Sequence, residues 1–197
     1  MHIGGFFMKY DLSKKPNRGV CNTLNIFYTT MMGLLQQKPF EKITVNEVCR
    51  EANFPRATFY NYFDDKYDLL EYCWSVLSEQ FQVENLNKPN DITVDTVLDR
   101  IYDYLTVEGE NISRIMVYNK EDGYMQTSLF NYIKRSVFEM CKATEQRVTF
   151  AIPKTLVAEH YSNTLMLIFK WWFMEGHPLT RTEVHNLLDR LLYGKLF

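Results

Sequence analysis

The stretch from Phe40 to Leu70 constrains the fold more than any other part of the chain, because its pattern predicts two short helices around a tight turn. Thr44 and Glu47 form a capping-box pattern, so the first of these helices is predicted to begin at Val45. Its apolar residues recur with the helical period and leave the opposite side of the helix exposed to solvent. Asn53 then falls where a helix ends with a positive φ, a position that suits Gly best and Asn next best.

The second short helix follows the turn directly. Pro55 sets a φ that suits a helix start, and Phe59 and Phe63 are predicted to face inward. The other side chains of this helix are predicted to stay outside: Arg56, Ala57, Thr58, Tyr60, Asn61 and Tyr62. Two helices joined in this way form a helix-turn-helix, whose second helix enters the major groove of DNA.

Four of the outward side chains carry groups that read base edges. Arg56 suits guanine, Asn61 suits adenine, and Ala57 or the methyl group of Thr58 suits thymine. Arg56 is equally suited to holding a phosphate. A groove-facing helix this short reads few base pairs, so the chain is predicted to bind two half-sites as a dimer.

Four further residues are predicted to contact the DNA backbone. Thr44 and Lys66 stand at helix N-termini, where free N–H groups favour an anion. The hydroxyls of Tyr60 and Tyr62 are also placed to meet phosphate. For Thr44 a simple helix cap is an equal alternative. Either tyrosine ring also suits packing against the first helix of the chain, which is predicted at 23–37.

This stretch resembles the DNA-binding domain of the TetR family of bacterial transcription regulators, whose pattern runs roughly T-V-x-x-I-A-x-x-A-G-V-S-x-G-T-F-Y-x-H-F-x-x-K-x-x-L. The identical residues are Thr44, Val45, Ala52, Thr58, Phe59, Tyr60, Phe63, Lys66 and Leu69, with Val48 and Phe54 as conservative replacements. The departures are Cys49, Asn53, Pro55, Ala57 and Tyr62 in place of A, G, S, G and H. Pro55 removes a side-chain cap, and Tyr62 replaces a phosphate donor. The resemblance covers residues 23–77; the later segment WWFMEGHPLT weakly resembles a subset that includes activators of dihydroxyacetone kinase genes.

The rest of the chain is predicted to be all-α. Further helices are predicted at 23–37, 66–83, 94–107, 111–119, 125–150, 154–175 and 181–196, with a polar boundary at 84–91. The predicted organisation is an N-terminal arm over 1–18, a helix-turn-helix domain over 19–66, and a helical effector-binding and dimerisation bundle over 67–197, which a long helix joins to the head. The 197 residues leave no room for a third domain.

Composition limits the classes of function. The net charge of −2 excludes a general nucleic-acid binder, but residues 1–63 hold eight Lys or Arg against four acids, whereas the chain from Asn85 holds thirteen against fourteen. The cysteines lack metal-ligand spacing, so a reduced protein without metal or cofactor is predicted. Cys141 and His160 have no third orienting group and no Gly-rich phosphate loop exists, which argues against an enzyme. No secretory signal or membrane span is visible, and the resemblance implies the bacterial cytoplasm.

Aromatic and methionine residues of the second part suggest an effector pocket, as the family resemblance implies. The candidates are Tyr102, Met116, Tyr118, Met125, Phe130, Phe138, Tyr161, Met166 and Phe169. A plain helical core explains the same pattern, because an apolar stripe at helical spacing needs no ligand.

The segment LMLIFKWWFM, residues 165–174, is apolar almost all round the helix. One face suffices for the core of the bundle, so the opposite face is predicted to pair with a second copy. The predicted interface residues are Trp171, Trp172, Phe173, Leu188 and Leu192. A core buried within one chain is the competing interpretation.

The resemblance then implies a regulator that binds a palindromic operator as a dimer, with an effector in the C-terminal bundle modulating its affinity for double-stranded DNA. Repression is the commoner outcome in the family. The alternative is an activator or adaptor whose C-terminal domain docks a partner protein. An internal cavity favours the first, and a filled core with an exposed apolar patch favours the second.

Overall fold

The computed structural model describes residues 17–81, 94–120, 122–144 and 152–194, which form eight α-helices. The helices are α1 (Arg18–Leu35), α2 (Val45–Glu51), α3 (Arg56–Tyr62), α4 (Lys66–Phe81), α5 (Val94–Tyr118), α6 (Tyr124–Thr144), α7 (Lys154–Phe169) and α8 (Arg181–Tyr193). Within those residues no strand occurs, and the predicted all-α class is confirmed. Residues 1–16 of the predicted arm lie outside the described residues.

The chain divides into two compact units. The first unit comprises residues 1–80 and 110–129, and the second comprises 81–109 and 130–197. Helices α5 and α6 therefore each contribute to both units. The predicted DNA-binding domain ends at residue 66, and the first unit also contains α4 as far as Gln80 and the α5–α6 corner.

The first unit is built around an aromatic cluster. The fully buried ring of Phe27 in α1 lies 5.3 Å from Phe54, 5.5 Å from Phe59 and 5.8 Å from Phe63 between ring centroids. Phe59 in α3 and Phe63 at its C-cap each meet Phe27 edge to face, an arrangement that aromatic pairs prefer. These contacts fix α3 on α1.

Helix α1 begins earlier than predicted. Asn17 accepts the Val20 N–H at 3.0 Å, so the helix starts at Arg18 rather than at Thr23. An asparagine oxygen in this position satisfies an amide that would otherwise lack a partner. The sequence pattern missed the first turn because it carries little of the apolar stripe.

Helix α5 corrects a second expectation. The sequence predicts two helices, at 94–107 and 111–119, but the structure has one continuous helix through Gly109. Buried Leu105, Ile112 and Ile115 continue one stripe across the glycine. A single glycine costs a helix only about 1 kcal/mol, so it does not end a helix whose apolar face continues.

The second unit contains a small core between α7 and α8. Ile168, Val184 and Leu188 are buried together. The connection between the helices ends in the predicted capping box, in which the Thr180 side chain accepts the Glu183 N–H and the Glu183 carboxylate accepts the Thr180 N–H. The predicted helix over 154–175 is α-helical only to Phe169, and a π-helical turn, Lys170–Met174, completes it.

Candidate nucleic-acid interface

The N-terminus of α2 is held by Thr44. Its hydroxyl oxygen accepts the Glu47 N–H at 3.2 Å, as the sequence predicts. The Glu47 carboxylate, however, pairs with the Lys38 ammonium at 2.7 Å. The structure therefore shows half of the predicted capping box, because an ammonium attracts the carboxylate more strongly than a backbone amide does.

The turn between α2 and α3 has the geometry that its residues predict. Asn53 has a φ of 55°, the single positive φ of a non-glycine residue among those described. The Phe54 N–H donates to the Cys49 carbonyl at 2.9 Å, which closes α2, and Pro55 precedes the first residue of α3 with φ −59°. The turn directs α3 away from α2 and exposes its outer face.

Helix α3 divides into a buried and an exposed side. Phe59 is fully buried, and Phe63 at the C-cap is 1% exposed. The exposed side carries Arg56, Ala57, Tyr60 and Asn61, with Thr58 and Tyr62 half-buried at its borders. All six residues predicted to stay outside therefore lie on one accessible surface, which we call the α3 face.

Arg56 and Tyr60 form a pair on the α3 face. The Arg56 Nη2 donates to the Tyr60 hydroxyl oxygen at 3.0 Å, and the guanidinium carbon lies 5.6 Å from the ring centroid. This hydrogen bond raises the pKa of the Arg56 guanidinium. The pair presents a fixed positive charge and donors whose positions are restricted before DNA arrives.

Lys66 has other partners than the phosphate that the sequence predicts. Its ammonium donates to the carbonyl oxygens of Phe40, Glu41 and Ile43 at 2.9, 3.0 and 2.8 Å. Partial burial lowers the pKa of this ammonium. These carbonyls belong to the 3₁₀ turn Phe40–Lys42 and to the residue after it, so Lys66 acts as a cap for that turn.

Sequence reasoning missed a second group at the same turn. The Asn119 side chain, which is 2% exposed, accepts the Phe40 N–H at 2.8 Å and donates to the Leu35 carbonyl at 3.1 Å. The Glu41 carboxylate accepts the Tyr124 N–H at 2.8 Å. No periodic or local signal reveals these contacts, because they join residues about 80 positions apart.

The nine predicted pocket residues are divided between the two units. Met116, Tyr118 and Met125 belong to the first unit, and the other six belong to the second. A cleft of about 390 Å³ in the second unit has Tyr102 among its walls, together with Leu105, Thr106, Trp172, Phe173, Pro178, Leu179, Thr180 and Glu183. Tyr102 is therefore the one residue of the predicted set that lines this cleft.

Tyr102 is fixed in the cleft on three sides. Its ring stacks on Trp172 with centroids 5.3 Å apart and planes 4° apart, and its hydroxyl donates to the Leu179 carbonyl at 3.1 Å. The Arg181 guanidinium carbon lies 5.3 Å from the same ring. The result is a preformed aromatic wall with polar groups at its edge.

Most of the residues predicted to form the dimer interface pack against other residues of the second unit. Leu188 is 3% exposed, Trp172 and Leu192 pack against its cluster, and Phe173 stacks on Phe169. α7 and α8 pack against each other through these sides, so the helical period places other residues outside. Leu156 and Leu167 are each 57% exposed and Trp171 is 38% exposed. We call these three residues the α7 face.

The described part of the chain is all-helical and contains a helix-turn-helix whose second helix is accessible. This combination is typical of helical transcription regulators. The profile of the bacterial regulatory proteins of the tetR family matches residues 31–73, which span the end of α1 to the middle of α4. This part of the chain therefore has the DNA-binding domain of these transcription regulators. Members of the family are DNA-binding transcription factors and not enzymes. No curated protein sequence matches the chain significantly.

Solved structures share the fold at low sequence identity. The fatty acid degradation regulator FadR from Bacillus halodurans is 13% identical with a TM-score of 0.61, over 92% of this chain and 98% of that chain. A TetR transcriptional regulator from Streptococcus agalactiae 2603V is 23% identical with a TM-score of 0.58, over 90% and 96%. The dihydroxyacetone kinase operon activator DhaS is 18% identical with a TM-score of 0.54, over 89% and 97%.

None of the helices in the described residues is both long and apolar enough to cross a membrane.

Proposed function

We propose that this chain binds a palindromic DNA operator as a homodimer, with the α3 face in the major groove, and thereby regulates transcription. The α3 face carries this proposal, because it joins base-reading side chains to a helix that Phe59 fixes on the core. Rigid presentation is what a base-reading helix requires, since each good contact depends on the geometry of two hydrogen bonds.

The groups on the α3 face divide by their chemistry. Arg56 suits the two acceptors of guanine, Asn61 suits adenine, and the Ala57 or Thr58 methyl group suits the thymine methyl group. The hydroxyls of Thr44, Tyr60 and Tyr62 suit phosphate oxygens. Phosphate contacts set the register of the helix, and the base contacts give sequence preference.

Dimerisation is assigned to the α7 face. Leu156 and Leu167 are three helical turns apart, and Trp171 follows one turn later, so the three side chains form one exposed apolar stripe. Such a stripe on a helix of a small bundle is typical of a surface that a second copy covers. Two copies present two α3 faces to the two halves of a palindrome.

The cleft of the second unit is the proposed effector site. Its volume of about 390 Å³ lies within the range of about 300–1,000 Å³ that small-molecule sites occupy. The stacked Tyr102 and Trp172 rings offer an apolar wall, and Glu183 supplies a carboxylate at the edge. These features favour a small ligand over a docked partner protein. We assign the chain to the bacterial cytoplasm as a repressor whose DNA affinity this ligand changes.

Selection of bound duplexes from a random DNA pool tests the proposal. We expect an inverted repeat whose half-sites are about one helical turn apart between their centres. Arg56→Ala is selected in parallel as a matched variant, and it should recover the same repeat with one position relaxed. Failure of the wild-type chain to enrich any sequence would contradict the proposed function.

A further inference from the structure

We infer that Lys66 and Asn119 are positioning residues that together hold the 3₁₀ turn Phe40–Lys42 in its DNA-binding arrangement, and that Lys66 is not a phosphate ligand; the inference rests on the proposed DNA binding. The turn lies between α1 and α2. It therefore sets where Thr44 begins α2, and through α2 where α3 stands.

The ammonium of Lys66 is already fully used. A lysine has three N–H donors and no acceptor, and here three carbonyl oxygens lie within 3.0 Å of Nζ. The ammonium also lies 4.6 Å from the centroid of the Phe40 ring. To donate to a phosphate, Lys66 would have to break one of these contacts and leave a carbonyl of the turn without its partner.

Asn119 holds the same turn from the α5–α6 corner. Its Oδ1 accepts the Phe40 N–H at 2.8 Å, and its Nδ2 donates to the carbonyls of Leu35 at 3.1 Å and Ile115 at 2.9 Å. One buried amide thus joins the end of α1, the turn and the end of α5. Removal of the amide would leave buried backbone groups unpaired, which is costly.

The outer side of the turn is tied to the start of α6. The Glu41 carboxylate accepts the Tyr124 N–H at 2.8 Å, and the Tyr124 ring stacks on Phe40 with centroids 5.5 Å apart. The turn is therefore held by side chains or backbone of α4, α5 and α6 at once. A contact set of this kind fixes a position more narrowly than any single hydrogen bond.

The salt dependence of DNA binding separates positioning from phosphate contact. The probe is the duplex selected by the wild-type chain, titrated at several salt concentrations. Loss of one phosphate contact lowers the magnitude of the slope of log K against log salt by about 0.9, so loss of one contact from each copy of the dimer lowers it by about 1.8. For Lys66→Met we expect about tenfold weaker binding with an unchanged slope, because the contacts to phosphate remain but the α3 face is displaced.

Two further variants test whether a change of charge or of side-chain volume alone explains weaker DNA binding. Lys42→Met removes an exposed lysine of the same turn, so it loses the same charge without breaking the carbonyl contacts. Lys66→Arg keeps the charge, but a planar guanidinium does not match three carbonyls around one nitrogen. We expect Lys42→Met to weaken binding much less than Lys66→Met, and Lys66→Arg to bind as poorly as Lys66→Met.

Asn119→Ala should show the same signature, with weaker binding and an unchanged slope, whereas Asn111→Ala on α5 should bind as the wild type does. Hydrogen exchange at the Phe40 amide reports the turn directly and needs no DNA. We expect that amide to lose protection in Asn119→Ala while the amides of the α1 interior keep theirs.

Three results would overturn the inference: a slope whose magnitude falls by about 1.8 in Lys66→Met, full rescue by Lys66→Arg, or unchanged Phe40 protection in Asn119→Ala. If Lys66→Met does not fold, the affinity of Lys66→Arg decides, because weak binding supports the inference and full rescue overturns it. Absence of any wild-type DNA binding would overturn the proposed function instead, and the exchange experiment would still test the Asn119 contact.

Discussion

At the scale of single residues, the α3 face depends on how a few side chains are held before DNA arrives. Arg56 is tied to Tyr60 one helical turn away, so the guanidinium approaches DNA in a restricted set of positions. A restricted donor loses less conformational entropy when it binds, which increases affinity and selectivity together. The pair makes Arg56 the first candidate for a base contact.

Arg56→Ala should weaken binding to the selected duplex roughly 5- to 150-fold and relax the preference at one position in each half-site. Fluorescence anisotropy on the duplex and its single-position variants measures both effects. Arg50→Ala is the matched control, because Arg50 is exposed on α2 and paired with Glu51 at 2.9 Å. Equal weakening on every duplex would identify Arg56 as a phosphate ligand.

Phe27 is the residue on which the stability of the first unit most depends. Phe27→Ala removes a fully buried ring that touches three others, and such a change costs about 3–5 kcal/mol. Urea unfolding followed by circular dichroism measures the loss. Asn25→Ala on the exposed side of α1 should change the free energy of unfolding by about 0.5 kcal/mol or less. A loss for Phe27→Ala no larger than that control would contradict the aromatic core.

At the scale of elements, α8 shows how a few polar atoms begin a helix. The Thr180 side chain accepts a hydrogen bond from the Glu183 N–H, and the Glu183 carboxylate accepts one from the Thr180 N–H. Helix α8 also carries Val184 and Leu188 of the second-unit core. The cap and the core therefore stabilise the same segment.

Thr180→Ala should lower the free energy of unfolding by about 1 kcal/mol, the usual loss for an N-cap threonine. Thr182→Ala, one residue inside the same helix and exposed, is the control. Chemical denaturation of both variants decides, and an equal effect would show that the cap contributes nothing beyond helix propensity.

The same cap predicts a pH dependence. The hydrogen bonds from the Thr180 N–H and hydroxyl lower the pKa of the Glu183 carboxyl below its ordinary value of 4.5. A lowered pKa in the folded state adds stability above pH 4.5, and this contribution is lost as the pH falls through the folded-state value. Wild type should therefore be more stable than Glu183→Gln at pH 7, and the difference should shrink below pH 4.5. A difference independent of pH would contradict the assignment.

At the scale of the whole molecule, the proposed binding to a palindromic operator depends on assembly into a dimer. The α7 face is exposed, whereas Leu188 and Trp172 are used within their own unit. Trp171 and Trp172 lie in the π-helical turn Lys170–Met174, and consecutive residues of a helix point to different sides. Trp171 is left as the outward aromatic group of the pair.

Leu167→Asp and Trp171→Asp should each convert a dimer into a monomer that is still folded, because a charge on the α7 face opposes burial against a second copy. Sedimentation at micromolar concentration measures the state, and circular dichroism checks the fold. Val107→Asp is the control, since Val107 is 80% exposed in the same unit and lies outside the α7 face. A dimer that persists in both variants would exclude this interface.

Local sequence patterns determined those features of the structure that depend on residues close together in the chain. The positive φ of Asn53, the cap at Thr44, the capping box at Thr180 and the inward side of α3 all depend on atoms three to five positions apart. A helix places such residues next to each other whatever the rest of the chain does. For that reason the sequence by itself was enough to predict the helix-turn-helix and the outward residues of α3.

Tertiary structure alone decided the contacts between residues that are far apart in the chain. Phe40 and Asn119 are 79 positions apart, and Lys66 reaches the Phe40 carbonyl across 26 positions. The direction of Trp172 and Leu188 likewise depended on which sides of α7 and α8 meet. Sequence periodicity identifies an apolar face but not its partner, and a charged side chain at a helix start suits phosphate and carbonyl oxygens equally well until the packing brings one of them within reach.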